Sequence, residues 1–133
     1  MMRDPDTDLP IKPLPQAFEL REGESSLSVN WAEFFATGAT PTDILEAARA
    51  SKATAMALSS KGKVSPRTVY AYASVGSVRA CCAAHGNANV RIVHDGSRAN
   101  PSHSSFRQFG QDQELLSLLA NEVFASYLLD SQL

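Results

Sequence analysis

Cysteine is scarce in this chain, and the common catalytic signatures are missing. The only two cysteines in 133 residues, Cys81 and Cys82, are adjacent. No disulfide framework can be drawn from such a pair, so a reducing cytoplasm is the expected compartment. No apolar run approaches the roughly 20 residues a membrane helix requires. Met1–Pro15 lacks the basic-then-apolar order of a secretory signal. There is no Gly-x-Ser-x-Gly elbow, no glycine-rich phosphate loop, no His-Glu-x-x-His and no Cys-x-x-Cys, which removes the commonest signatures of hydrolases, nucleotide binders and zinc proteins. No cofactor and no metal is therefore expected. What is present is 44% hydrophobic and 20% charged, the composition of a globular domain large enough to bury a core.

Charge is unevenly placed. The net charge of −2 conceals nine bases among residues 49–107, opposed there by Asp95 alone. The segments before and after are acidic. Either the chain's own carboxylates neutralise this basic middle, or an external anion does.

Four of the seven prolines fall within residues 1–15. Proline removes backbone donors and fixes φ, so this stretch reads as a flexible, extended tail ahead of one domain over 16–133. Phe18 and Leu20 alternate with Glu19 and Arg21 as in a half-exposed strand, Gly23 supplies a turn, and Leu27 and Val29 resume the alternation. Asn30 stands three residues before Glu33, the spacing of a capping box. The reading is a short helix that plants Trp31, Phe34 and Phe35 in the core and stops at Gly38. Thr40-Pro41-x-Asp43 is a helix start, with cap, first-turn proline and dipole-opposing acid, and the helix is read as continuing to Ser59. Thr68–Val75 alternates as a strand with Tyr70 and Tyr72 on one face, and a short helix is expected over Val78–Ala84. Ala88, Val90, Ile92 and His94 read as the inward face of another strand. From Asp112, a capped helix carries a broad apolar stripe, Leu115 to Leu128. The order implies an α+β fold, or an α/β one, with a single small sheet of three to four strands covered by three to four helices.

Chemistry is concentrated around one loop. His94 ends a strand, Asp95-Gly96 turns, and His103 closes a polar stretch. Loops at strand ends hold reactive groups on rigid supports, and histidine exchanges protons near neutral pH. His94, His103 and Asp95 are therefore the candidate catalytic residues, with Arg91, Arg98 and Arg107 as candidate anion ligands. The alternative is a histidine bonded only to backbone beside an ordinary Asn-Pro turn. Cys82 and His85 lie one helical turn apart and His94 and His103 could complete four ligands, but neither a Cys-x-x-Cys pair nor the short spacing between two histidines that zinc sites use is present. Tyr70 and Tyr72 near scattered bases leave nucleic-acid binding open.

Phe18-Glu-Leu-Arg-Glu-Gly-Glu24, Leu27-Ser-Val-Asn-Trp31, Val93-His94-Asp95 and Asn100-Pro101-Ser102-His103 together resemble a loose set of small bacterial proteins of unassigned function. The resemblance implies a bacterial source and suggests that these segments meet in one site or structural junction. It carries over no catalytic residue. The leading expectation is an accessory or binding module acting through protein or anion contacts, with a protein partner or a second copy held by the C-terminal helix. The rival is a small enzyme or anion-binding domain using His94 and His103.

Overall fold

A computed structural model of the chain describes residues 1–35 and 40–133. Among the described residues, seven strands form three small sheets, interspersed with three α-helices. The mixed α and β composition agrees with the sequence, but among the described residues the strands fall in three sheets where a single one was expected. β1 (Met2–Arg3) pairs with β2 (Pro10–Lys12). β3 (Ser26–Asn30), β6 (His103–Arg107) and β5 (Arg91–His94) form a sheet in the order β3-β6-β5, and β4 (Val69–Tyr72) pairs with β7 (Ser126–Leu129). The helices are α1 (Thr40–Leu58), α2 (Val75–Ala84) and α3 (Gln113–Leu118). No described helix is long and apolar enough to cross a membrane. Contacts divide the chain into two compact units. The first comprises Met1–Leu27, Ala71–Ile92 and Phe106–Tyr127; the second comprises Ser28–Tyr70, Val93–Ser105 and Leu128–Leu133.

In the first unit, the expected extended tail is instead folded back on itself. Oδ1 of Asp4 accepts from the amides of Asp6 and Thr7, Asp8 adopts a left-handed φ of 57°, and Arg3 donates to the Asp8 carbonyl at 2.6 Å. Aspartate suits this turn because its short carboxylate substitutes for a backbone acceptor. The strand expected at Phe18 is a 3-10 turn over Pro15–Phe18. Pro15 pre-sets the helical φ at its start, and Phe18 is buried with its ring 4.9 Å from that of Phe124. Gly23 does turn the chain, at φ +82°.

α2 begins earlier than the alternation suggested, because the hydroxyl of Ser74 accepts from the Ser77 amide and caps it. Val75, read as strand, is therefore helical. The C-terminal helix is shorter than expected. Asp112 makes no side-chain cap, α3 stops at Leu118, one π-helical turn follows over Leu119–Val123, and Tyr127 and Leu128 lie in β7. Leu115, Leu116, Leu119 and Ala120 are fully buried, so the part of the stripe offered above for a dimer contact serves the core of its own unit. Cys82 is also buried there, and burial pushes its thiol up to about 11; burial and the charge of Glu122 raise Cys81. Both shifts favour the protonated thiol.

In the second unit, α1 runs unbroken to Leu58, in keeping with its alanine-rich sequence. Gly38 and the expected Thr40–Pro41 side-chain cap lie outside the described residues. Part of the basic middle is neutralised internally: Arg49 bridges Glu46 at 2.6 Å, and Lys52 bridges Asp130 at 2.9 Å. Tyr70, placed above on a possible stacking face, donates its phenol to Asp130 at 3.2 Å. Burial first, then the Asp130 charge and hydrogen bond, push its pKa up to about 12. Its folded value thus exceeds the ordinary tyrosine value near 10. The associated stability is fully present below pH ~10 and is lost as pH rises through about 12. A 295 nm titration should show one of the three tyrosines ionising near pH 12. In Asp130→Asn that step should move down without reaching the ordinary value, since burial remains. An unmoved step would show that Asp130 does not act on Tyr70.

Candidate functional site

The candidate residues of the second unit gather around the connection between β5 and β6, which spans residues 95–102. That connection is too short for a parallel crossover, and the chain turns back through a dense set of local bonds. The Asp95 amide donates to the His103 carbonyl, the Ser97 amide to the Asn100 carbonyl, and the His103 amide to the Asn100 carbonyl. The hydroxyl of Ser97 accepts from the Asn100 amide at 3.1 Å. With Asn100 and Ser102 buried, the loop is an ordered structure and not a loose excursion.

It is tied to the end of β3 by Asn30. The Asn30 amide donates to Ser51 of α1 at 2.6 Å, and its oxygen accepts from the Ser102 hydroxyl at 2.8 Å; that hydroxyl lies 3.1 Å from Asn100 Oδ1. The backbone amide of Trp31 donates to the Ser102 carbonyl. Asn30 is thus engaged in tertiary bonds instead of the capping box read from its spacing to Glu33. The short helix it was to open is a single 3-10 turn over Ala32–Phe35.

The pairing of Asp95 with His103 fixes the geometry of the candidate catalytic residues. Alternation places Asp95, His103 and Ser105 on one face of the β5–β6 ladder and His94 on the other. On the first face, His103 Nδ1 lies 2.7 Å from Asp95 Oδ1, and the Ser105 hydroxyl donates to Asp95 Oδ2. A carboxylate accepts, so Nδ1 carries the proton and Nε2 of the neutral ring keeps its lone pair. Among the described residues Nε2 makes no hydrogen bond. The His103 and Asp95 side chains retain 28% and 33% of their exposure, so solvent and solutes reach them, whereas Ser105 is buried.

On the opposite face, His94 Nε2 lies 2.7 Å from the Pro101 carbonyl. A carbonyl can only accept, so here Nε2 carries the proton. The His94 ring stands 5.2 Å from Trp31 and 5.7 Å from Phe34, centre to centre, and Phe34 packs edge-on against Phe35 at 5.2 Å. These aromatics were expected in the core. Trp31, just before the 3-10 turn, and Phe34, on it, are instead 38% and 42% exposed. His94, expected on an inward strand face, is exposed as well. The structure therefore brings His103 and Asp95 together and gives His94 a different set of partners.

The candidate anion ligands are divided. Arg98 lies exposed in the loop, whereas Arg91 and Arg107 belong to the first unit, so the three are not gathered within one unit. His85, in the first unit, has Nδ1 3.0 Å from the Cys81 carbonyl. Among the described residues no three His, Cys, Asp or Glu side chains group as metal ligands. Sequence reasoning missed Ser105 and read Asn30 as a helix cap, with Ser102 placed only in the polar stretch beside His103. The i, i+2 spacing of His103 and Ser105 on a strand was the one available signal. No family model matches the chain, and neither the curated proteins nor the solved structures compared with it give a match.

Proposed function

We propose that this protein is a binding module, an accessory component without a catalytic duty at this surface, that docks a protein partner on the exposed rings of Trp31 and Phe34. The observation that carries the reading is their exposure, 38% and 42%, while they remain packed ring against ring with His94. Exposed apolar side chains gathered in one patch, unlike scattered single ones, mark interaction sites, and tryptophan is among the residues that most often dominate binding energies. Glu33, exposed on the same 3-10 turn, adds a negative charge beside two π faces. Both features attract a guanidinium or ammonium group, so the partner segment is basic. A cytoplasmic setting accords with two free thiols.

The sole tryptophan makes the test direct. Basic peptides displayed on an array and titrated in solution should change the fluorescence of Trp31, with affinity lost at least about tenfold in Phe34→Ala and Glu33→Gln. Binding that is unchanged in both variants, or no binding by any basic segment, would overturn the reading.

A further inference from the structure

We propose that His103 is an acyl-transfer centre, with Nε2 as the nucleophile and Asp95 as its orienting base. The proposal stands on the face of the ladder opposite the aromatic rings and does not depend on them. Three observations combine. Asp95 Oδ1 holds Nδ1 at 2.7 Å, which fixes the tautomer that leaves Nε2 able to attack. The other carboxylate oxygen is anchored by the buried hydroxyl of Ser105, so the acid cannot rotate away from the ring. The backbone bonds of residues 95–103 preset the approach before any substrate arrives.

This is not a serine-nucleophile triad. The Ser105 hydroxyl sits on the carboxylate, not on the imidazole, and is buried. The half-buried imidazole itself is the nucleophile, and its substrate class is activated esters and thioesters. Nε2 adds to the carbonyl carbon, the N–C bond forms, and the C–O or C–S bond breaks as alkoxide or thiolate leaves. The positive charge that develops on the ring is stabilised by Asp95, which accepts the Nδ1 proton more strongly as the acylimidazole forms. Water then adds to the acyl carbon, the N–C bond breaks, and carboxylate and neutral imidazole are regenerated; of the two protons this frees, one goes to the departed alkoxide or thiolate and one to solvent.

Hydrolysis of p-nitrophenyl acetate by the full chain tests this. His103→Ala should lower the protein-dependent rate at least about tenfold, and Asp95→Asn should lower it less while altering its pH profile. His85→Ala, in the first unit, should leave it unchanged. A His103→Ala rate within about twofold of the unsubstituted protein would overturn the proposal. Should His103→Ala fail to fold, carbethoxylation of the unsubstituted protein by diethyl pyrocarbonate decides. His103 should be labelled ahead of His94 and His85, and labelling of either of those first would overturn it. Because Trp31 and Phe34 take no part, loss of peptide binding with esterase activity intact, or the reverse, separates this proposal from the docking surface.

Discussion

Replacing Leu116 by alanine is expected to remove roughly 2–5 kcal/mol of unfolding free energy. Leu116 is fully buried among Leu115, Leu119 and Ala120. The truncation loses the transfer energy of the deleted methyl groups and leaves a hole that the neighbouring helix cannot readily fill. For a chain of this length a loss of about 3 kcal/mol corresponds to a fall in Tm of roughly 10 °C. Urea or thermal unfolding followed by circular dichroism measures it. A change under about 1 kcal/mol would mean that Leu116 is not in a close-packed core.

The second large effect concerns Gly96. A Cβ added there would overlap the Pro101 carbonyl and stand 3.0 Å from His94 Nε2. The obstacle is backbone, held in place by the bonds of the 95–103 loop, so relief requires the loop itself to move. Gly96→Ala should therefore cost roughly 2–4 kcal/mol, an overpacking penalty together with the lost His94–Pro101 bond. Gly76→Ala provides the contrast. Gly76 lies in α2 with nothing within 4 Å of an added Cβ, and alanine there should be neutral or stabilising by up to about 1 kcal/mol. Equal effects at the two positions in chemical denaturation would show that the hydrogen bonds of the loop do not hold the Pro101 carbonyl in place.

The contrast between these glycines is instructive about what a sequence discloses. Local signals were legible where one physical cause dominated. The alanine-rich run after Pro41 gave α1, the alternation of Leu27 and Val29 gave β3, and Gly23 gave a turn. They misled where two causes competed. Phe18 and Leu20 alternate, yet Pro13 and Pro15 lack the amides a strand would use, and a 3-10 turn resulted. Tyr127 and Leu128 continue a helical stripe from Leu115, but the π-helical turn ends it and the same residues serve a strand.

At the candidate site the residue types were visible and their pairing was not. His94, Asp95 and His103 stood out by position beside a turn. Which imidazole met the carboxylate depended on the cross-strand register, set by the hydrogen bond from the Asp95 amide to the His103 carbonyl. The bond between Asn30 and Ser102 joins residues 72 positions apart; no spacing rule reaches that far. It displaced the local capping-box partner because it satisfies a buried serine hydroxyl, which a solvent-exposed cap does not require.

The central claim is that the loop orients its two flanking histidines oppositely, one by a carboxylate and one by a carbonyl. Long-range 15N–1H correlation spectra distinguish imidazole tautomers, and with three histidines in the chain the assignment is tractable. Neutral His103 should carry its proton on Nδ1 and neutral His94 on Nε2, with the His103 preference weakened in Asp95→Asn. The same tautomer at both positions, or a His103 ring unaffected by the loss of the Asp95 carboxylate, would contradict the account.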